Sequence, residues 1–94
     1  MPDDITHNIS ARRFEMNVHG QLALVDYRLR PGVIVYSHAE VPREHWGRGH
    51  GAKLAKHVLD YARDEGLKVV PACPFIATYM RRHPEYETLR ALPD

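Results

Sequence analysis

Cysteine, charge of one sign and long apolar runs are all scarce in this chain, and each shortage excludes something. The single cysteine, Cys73, has no internal partner for a disulfide, so this is not a secreted disulfide scaffold. No apolar run approaches the roughly 20 residues of a membrane span. The opening residues, MPDDITHNIS, are acidic and lack an apolar core segment. No signal peptide is read there, and a reducing cytoplasm is the expected compartment. Lys and Arg number 13 against 12 Asp and Glu, a net charge of +1. That is too balanced for a protein living on nucleic acid, where a basic stripe is expected. Seven histidines invite a metal, yet no HExxH is present, and His45, His50 and His57 lack a zinc pattern. His38-Ala39-Glu40 followed by Pro71-Ala72-Cys73 faintly matches a zinc deaminase, but that chemistry needs a second cysteine. No metal, nucleic-acid or membrane partner is therefore expected.

What is present suits one domain. A chain of 94 residues can bury roughly 60–70% of its unfolded surface, and it has no repeat, linker or low-complexity tract. Residues 1–10 are polar and expected to form a flexible N-terminal segment, with the domain over 11–94. Arg13 to Val18 alternates polar and apolar residues, the period of a half-buried strand. His19-Gly20-Gln21 is a turn, and Leu22 to Leu29 a second strand, so the two predict an antiparallel hairpin. Arg30-Pro31-Gly32 turns into a third strand from Val33 to about Val41, which carries His38 and Glu40 on one face. Ala52 to Glu65 reads as a helix with Ala55, Val58, Leu59 and Ala62 as its apolar stripe, and Gly66 is a natural residue to end it. Leu67 to Val70 is a fourth strand. Pro71 and Pro74 remove backbone donors, so the chain leaves the sheet there. Ile76 to His83 is a short helix with Ile76, Tyr79 and Met80 facing inward. Pro84 stops it, and Tyr86, Leu89 and Leu92 pack back.

These parts are organised around Val41–Lys53, VPREHWGRGHGAK, between the third strand and the long helix. Gly47, Gly49 and Gly51 alternate with Arg48 and His50, which lets the backbone approach a ligand without Cβ interference. The first N–H groups of a helix lack internal partners and sit at the positive end of its dipole. Together they make a site for a phosphate or pyrophosphate; a bare structural turn is the alternative. Gly47, Gly49 and Ala52 also fit G-x-G-x-x-A, but a dinucleotide fold needs more parallel sheet than this chain supplies. Nor is this a Walker A loop, since Ala52 takes the place of the glycine before Lys53.

In order, the strand, V-P-x-x-x-W-G-R-G-H-G, helix, strand, C-P-F and tyrosine-bearing helix resemble GNAT-superfamily N-acetyltransferases. The chain is most similar to a family of very small single-domain GNAT-like proteins. It shares with them Glu40-Val41-Pro42, the K-V-V-P-x-C-P-F segment Lys68–Phe75, and the Y-x-R-R-H-P-E-Y segment Tyr79–Tyr86. The resemblance runs from about residue 12 to residue 88. It implies an α+β fold, a minimal GNAT (acyl-CoA N-acyltransferase) fold with a mixed, mostly antiparallel sheet and two helices. It also implies acetyl-CoA as cosubstrate, with its pyrophosphate on the loop amides from about Gly47 to Ala52. The cofactor-binding set is then Val41, Trp46, Gly47, Arg48, Gly49, His50, Gly51, Ala52 and Lys53. Val41 would flank the pantetheine arm between the splayed third and fourth strands. Trp46 stands where the superfamily usually has Gln or Arg, but such a site depends mainly on backbone N–H groups.

Acetyl transfer to an amine needs a neutral amine, donors for the oxyanion and an acid for the departing thiolate. Glu40 and His38 are candidates for the base, with a solvated or ion-paired strand residue as the plain alternative. The resemblance places Tyr79 near the cofactor sulfur as a proton donor, against a purely packing role. It makes Cys73 a candidate nucleophile for a ping-pong path; lining the acetyl channel or plain core are its other roles. Arg48, and less distinctly Lys53, Arg81 and Arg82, could meet phosphates. The expected activity is acetyl transfer from acetyl-CoA to an amine by a monomer or weak homodimer. Larger GNAT proteins insert helices where His19-Gly20-Gln21 closes the gap, so the acceptor side should be open to a bulky or protein amine. A non-catalytic acyl-CoA-binding module is the rival from another class, and a structural interaction domain is a third.

Overall fold

The structure, a computed structural model, describes residues 5–42 and 49–91; Leu92 lies outside them. Alternation lays out the sheet. In β2 (Arg13–Val18), Phe14, Met16 and Val18 are buried while Arg13, Glu15 and Asn17 are not. A two-residue turn, His19-Gly20, links it to β3 (Gln21–Arg30), and both turn residues take positive φ, 52° and 82°. That is the turn whose twist matches flanking antiparallel strands. Pro31-Gly32 leads on to β4 (Val33–Glu40), which is antiparallel to β3. α1 (His50–Asp64) then crosses to β5 (Lys68–Pro71), which pairs parallel to β4. α2 (Pro74–Arg82) and a 3₁₀ helix (Pro84–Leu89) follow.

One strand is not expected from sequence. Residues 1–10 read as a polar flexible segment, yet Ile5–Asn8 form β1, antiparallel to β2 at the sheet edge. The polar composition is real, and pairing overrides it. Ile5 and His7 sit opposite Met16 and Phe14 on the core face, and the His7 ring stacks on Phe14 with centroids 4.2 Å apart. The sheet order is β1-β2-β3-β4-β5, mixed and mostly antiparallel. α2 also starts two residues before the expected Ile76, with Pro74 in its first turn, where the missing N–H of proline has no helical partner to lose.

The helices lie on one face of the sheet. Leu54, Ala55, Val58, Leu59 and Ala62 of α1 and Ile76 and Met80 of α2 join Phe14, Met16, Val25, Ile34, Tyr36 and Val69 in one cluster. Each Val, Leu, Ile, Phe or Met side chain among them contributes about 1.5–3 kcal/mol on burial. Within it, the Tyr36 hydroxyl donates to the Val58 carbonyl, so the one polar atom it buries is satisfied. Leu24 is buried yet outside this cluster, because it faces the other way, beside Glu15 and Glu40 in register.

Two irregularities in β4 position the site. First, Asp26 pairs with His38 but Tyr27 pairs with Tyr36, so Ser37 is an extra residue, a β-bulge. It shifts the phase of the strand. Ile34 and Tyr36 face the core before it; after it Ala39 and Val41 face the core, and His38 and Glu40 turn to the opposite face. Second, β5 follows β4 only to Tyr36↔Pro71, after which the Cys73 amide makes one more bond to the Tyr36 carbonyl at 3.1 Å. Beyond it, β4 runs on without β5 at its side. This is the parting of strands expected from Pro71 and Pro74.

Candidate functional site

α1 follows the end of β4, and its N-cap residue has no side chain to cap it. The N-cap is Gly49 at φ 87°, with no side-chain cap bond and no acidic residue in the first turn. The first helical bond runs from the Lys53 amide to the Gly49 carbonyl, 3.0 Å. The N–H groups of Gly51 and Ala52 precede it and have no acceptor within the helix. With no acidic residue in the first turn, these amides suit an anion. Gly49 has space for a Cβ, so its glycine answers to backbone conformation. Gly51 answers to close approach: a Cβ there would stand 3.1 Å from the Phe75 ring and 3.7 Å from Val41. Its bare Cα seats the first turn of α1 on the first turn of α2. At the same end, the His19 ring from the β2–β3 turn stands edge-on to His50, centroids 5.9 Å apart.

From this contact a groove of about 690 Å³ opens between α1 and α2, lined by Ala52, Pro74, Phe75, Thr78, Tyr79, Arg82 and His83. Phe75, Tyr79 and Arg82 recur at helical spacing along one side of α2. Tyr79 is half-buried; its ring stacks on His83 at 3.9 Å and 16°, and Tyr86 lies 6.0 Å away on a tilt. Burial pushes the Tyr79 hydroxyl above the ordinary tyrosine range, against an opposing pull from Lys56. It therefore stays protonated at neutral pH and can donate.

The other expected residues are spread around this groove. Ala52, Tyr79 and Arg82 line it, and Val41 and Gly51 meet at Phe75 beside it. His38 and Glu40 are hydrogen-bonded to each other at 2.8 Å and well exposed, on the sheet face away from the helices. Cys73, the N-cap of α2, is 5% exposed and belongs to the core. Burial pushes its thiol up, outweighing the amides of Ile76 and Phe75. Arg81 is exposed and bonds Thr78 Oγ1 at 3.3 Å. Trp46, Gly47 and Arg48 lie outside the described residues. Phe75 and His83 received no role from sequence, although the four-residue steps Phe75, Tyr79, His83 point along one helix side. Among the described residues no cluster of three or more His, Cys, Asp or Glu could hold a metal ion, and no helix is long and apolar enough to cross a membrane.

A family model of GCN5-related N-acetyl-transferases matches residues 13–89. The chain belongs to this family. The chain is 30% identical to protein NATD1 of Mus musculus over 95 residues, 97% of this chain and 86% of the relative. Protein NATD1 of Homo sapiens gives 30% over 95 residues, 97% and 83%. The solution NMR structure of a GCN5-like protein from Staphylococcus aureus superposes with a TM-score of 0.76 at 26% identity, covering 97% of this chain and 90% of that one. The α+β GNAT fold expected from sequence is thus the fold of this GCN5-related chain, with β1 and the 3₁₀ helix added to it.

Proposed function

We propose that the chain is an N-acetyltransferase that moves an acetyl group from acetyl-CoA to an amine, a protein or otherwise bulky amine being favoured by the short His19-Gly20 turn, which leaves no inserted helices between β2 and β3. One observation carries the reading: the start of α1, with no side-chain cap at Gly49 and no acid in its first turn, adjoins the groove along α2 through Ala52. The residues present fit such a carrier. The amides of Gly51 and Ala52 would take its diphosphate, Arg82 and Lys53 supply cationic charge nearby, and Phe75 and Val41 offer apolar walls to its arm. The edge of β4 that β5 leaves at Tyr36 offers backbone donors and acceptors to the same arm.

The carrier brings an acyl carbon already activated as a thioester. The chain's residues supply the proton traffic. Glu40, paired with His38, takes the proton that the amine must lose as the C–N bond forms, directly or through water. Tyr79, neutral and on the helix side, gives a proton to the sulfur as the C–S bond breaks. Base and acid thus occupy opposite faces, and donor and acceptor would meet where β4 and β5 part. Cys73 takes no covalent part in this scheme, since burial disfavours its thiolate.

The test pairs calorimetry on coenzyme A with thiol release from acetyl-CoA against a panel of amines and lysine-bearing peptides, read with intact mass. Tyr79→Phe and Glu40→Gln are expected to lower kcat by about 10²-fold or more, the usual worth of general acid–base catalysis. Cys73→Ala should turn over like wild type, with no acetyl adduct on the unmodified chain. Heat on binding without acceptor-dependent thiol release would make the chain a non-catalytic acyl-CoA-binding module. No heat at all would sink the site.

A further inference from the structure

His83 terminates α2, and the way it does so ties it to Tyr79 twice. Proline disfavours helical backbone in the residue before it, and His83, followed by Pro84, takes φ −130° and ψ 79°. Its amide turns to the Met80 carbonyl, 3.2 Å, so the Tyr79 carbonyl loses the donor four residues on that an α-helix would provide. The His83 side chain supplies the replacement: Nδ1–H donates to the Tyr79 carbonyl at 2.9 Å. This bond fixes the tautomer, because a carbonyl can only accept. It also folds the imidazole back along the helix, where it lies flat on the Tyr79 phenol with centroids 3.9 Å apart. Tyr86 also lies against this phenol, tilted at 6.0 Å between centroids, and its hydroxyl is anchored to Asp60 of α1 at 2.7 Å. The phenol at the groove wall is therefore in contact with a ring on its own helix end and near one tied to α1.

We infer that His83 is a positioning residue: it holds the Tyr79 ring in the one orientation from which the hydroxyl serves the groove, an inference that rests on the acetyl-transfer reading above. A helix cap alone would need the Nδ1–H bond and nothing more. The stack is the part that acts on Tyr79, and the two separate by substitution. Phe at 83 keeps a ring on the phenol but has no donor, whereas Asn can reach the carbonyl but cannot stack.

The experiment compares His83→Ala, His83→Phe and His83→Asn, each also in a Tyr79→Phe background. His83→Ala is expected to lower kcat about tenfold with the acetyl-CoA KM within about twofold, the pattern of a misplaced reacting group. His83→Phe should recover most of that loss and His83→Asn little of it. In the Tyr79→Phe background, His83→Ala should add nothing, since residues acting through one group are not additive. Recovery by Asn but not Phe, or losses that multiply across the double variant, would reduce His83 to a cap and overturn the inference. A second readout does not depend on turnover. Three-bond couplings of Tyr79 should report a single χ1 rotamer in wild type and His83→Phe and averaging in His83→Ala; one rotamer throughout would refute positioning. A wild type that turns over no amine would count against the acetyl-transfer reading, while the couplings still decide the role of His83.

Discussion

At its C-terminus α1 closes on itself, whereas at its N-terminus it is left open. The closing end is complete: Gly66, at φ 71°, bonds the Arg63 carbonyl at 3.1 Å, and the Leu67 amide bonds the Ala62 carbonyl at 2.8 Å. That pair of bonds satisfies two carbonyls of the last turn, those of Arg63 and Ala62. Nearby, Asp60 gathers Lys56, Arg63 and the Tyr86 hydroxyl, at 2.7, 3.3 and 2.7 Å. Burial works against its charge, but the bonds from Lys56 and Tyr86 prevail and hold its carboxyl below the usual range. At the opening end the N-cap Gly49 makes no side-chain cap bond, and the first turn holds no acidic residue. One helix thus carries its capping and ion-pair residues at one end, while at the other the N-cap glycine offers no side chain and the first turn no acid.

Substitutions at the two ends should therefore separate stability from binding. The largest effect is expected at Gly51→Val, which forces a branched side chain into the 3.1 Å gap before Phe75. Overpacking of this kind costs about 1–3 kcal/mol, and calorimetry should show weaker coenzyme A binding as the two first turns move apart. Gly66→Ala is next, costing about 1–2 kcal/mol because its left-handed backbone is strained for any Cβ. Melting temperature should drop while coenzyme A affinity holds; a change in affinity would break the contrast between the ends. Ala52→Glu should move the two quantities in opposite directions. A carboxylate in the first turn stabilises the helix by about 0.3–1 kcal/mol and repels a diphosphate, so melting rises as binding falls. If both rise, the anion site is elsewhere.

The smallest effect belongs to the closing end and to pH. His7 stacks on Phe14 and meets the edges of Tyr27 and Tyr61, with His57 and Glu65 also within its field. Burial, then the His57 charge, lower its pKa from 6.5, against a smaller opposing pull from Glu65. The unfolded chain therefore binds the proton first as pH falls. The stability His7 gives is complete above pH 6.5 and is lost as pH drops from there through the lowered folded value. Melting curves at stepped pH should show this slope in wild type and less of it in His7→Phe, with coenzyme A binding unaffected by the substitution.

Much of this was legible in the chain. Alternation in Arg13–Val18, helical spacing of Ala55, Val58, Leu59 and Ala62, and the stop at Gly66 are local signals, and the local elements obey them. β1 was not legible, because four residues reading Ile-Thr-His-Asn become a strand only through Met16 and Phe14 across the ladder. His83 was hidden for a related reason: its contacts arise from how the helix ends, which a period along the sequence does not encode. At the site, the bare start of α1 was readable from the glycines. That Gly51 exists for Phe75 was not, since the two lie on different helices.

The surplus residue at Ser37 has a consequence for chain length as well as for chemistry. Without it, strict alternation from Ile34 onward would leave Tyr36, Ala39 and Val41 facing inward and His38 and Glu40 facing outward, in continuous register with Asp26 and Tyr27. A strand one residue shorter would thus carry the same two faces, and what Ser37 adds is the local bend and extra twist of a bulge at the place where β5 leaves β4.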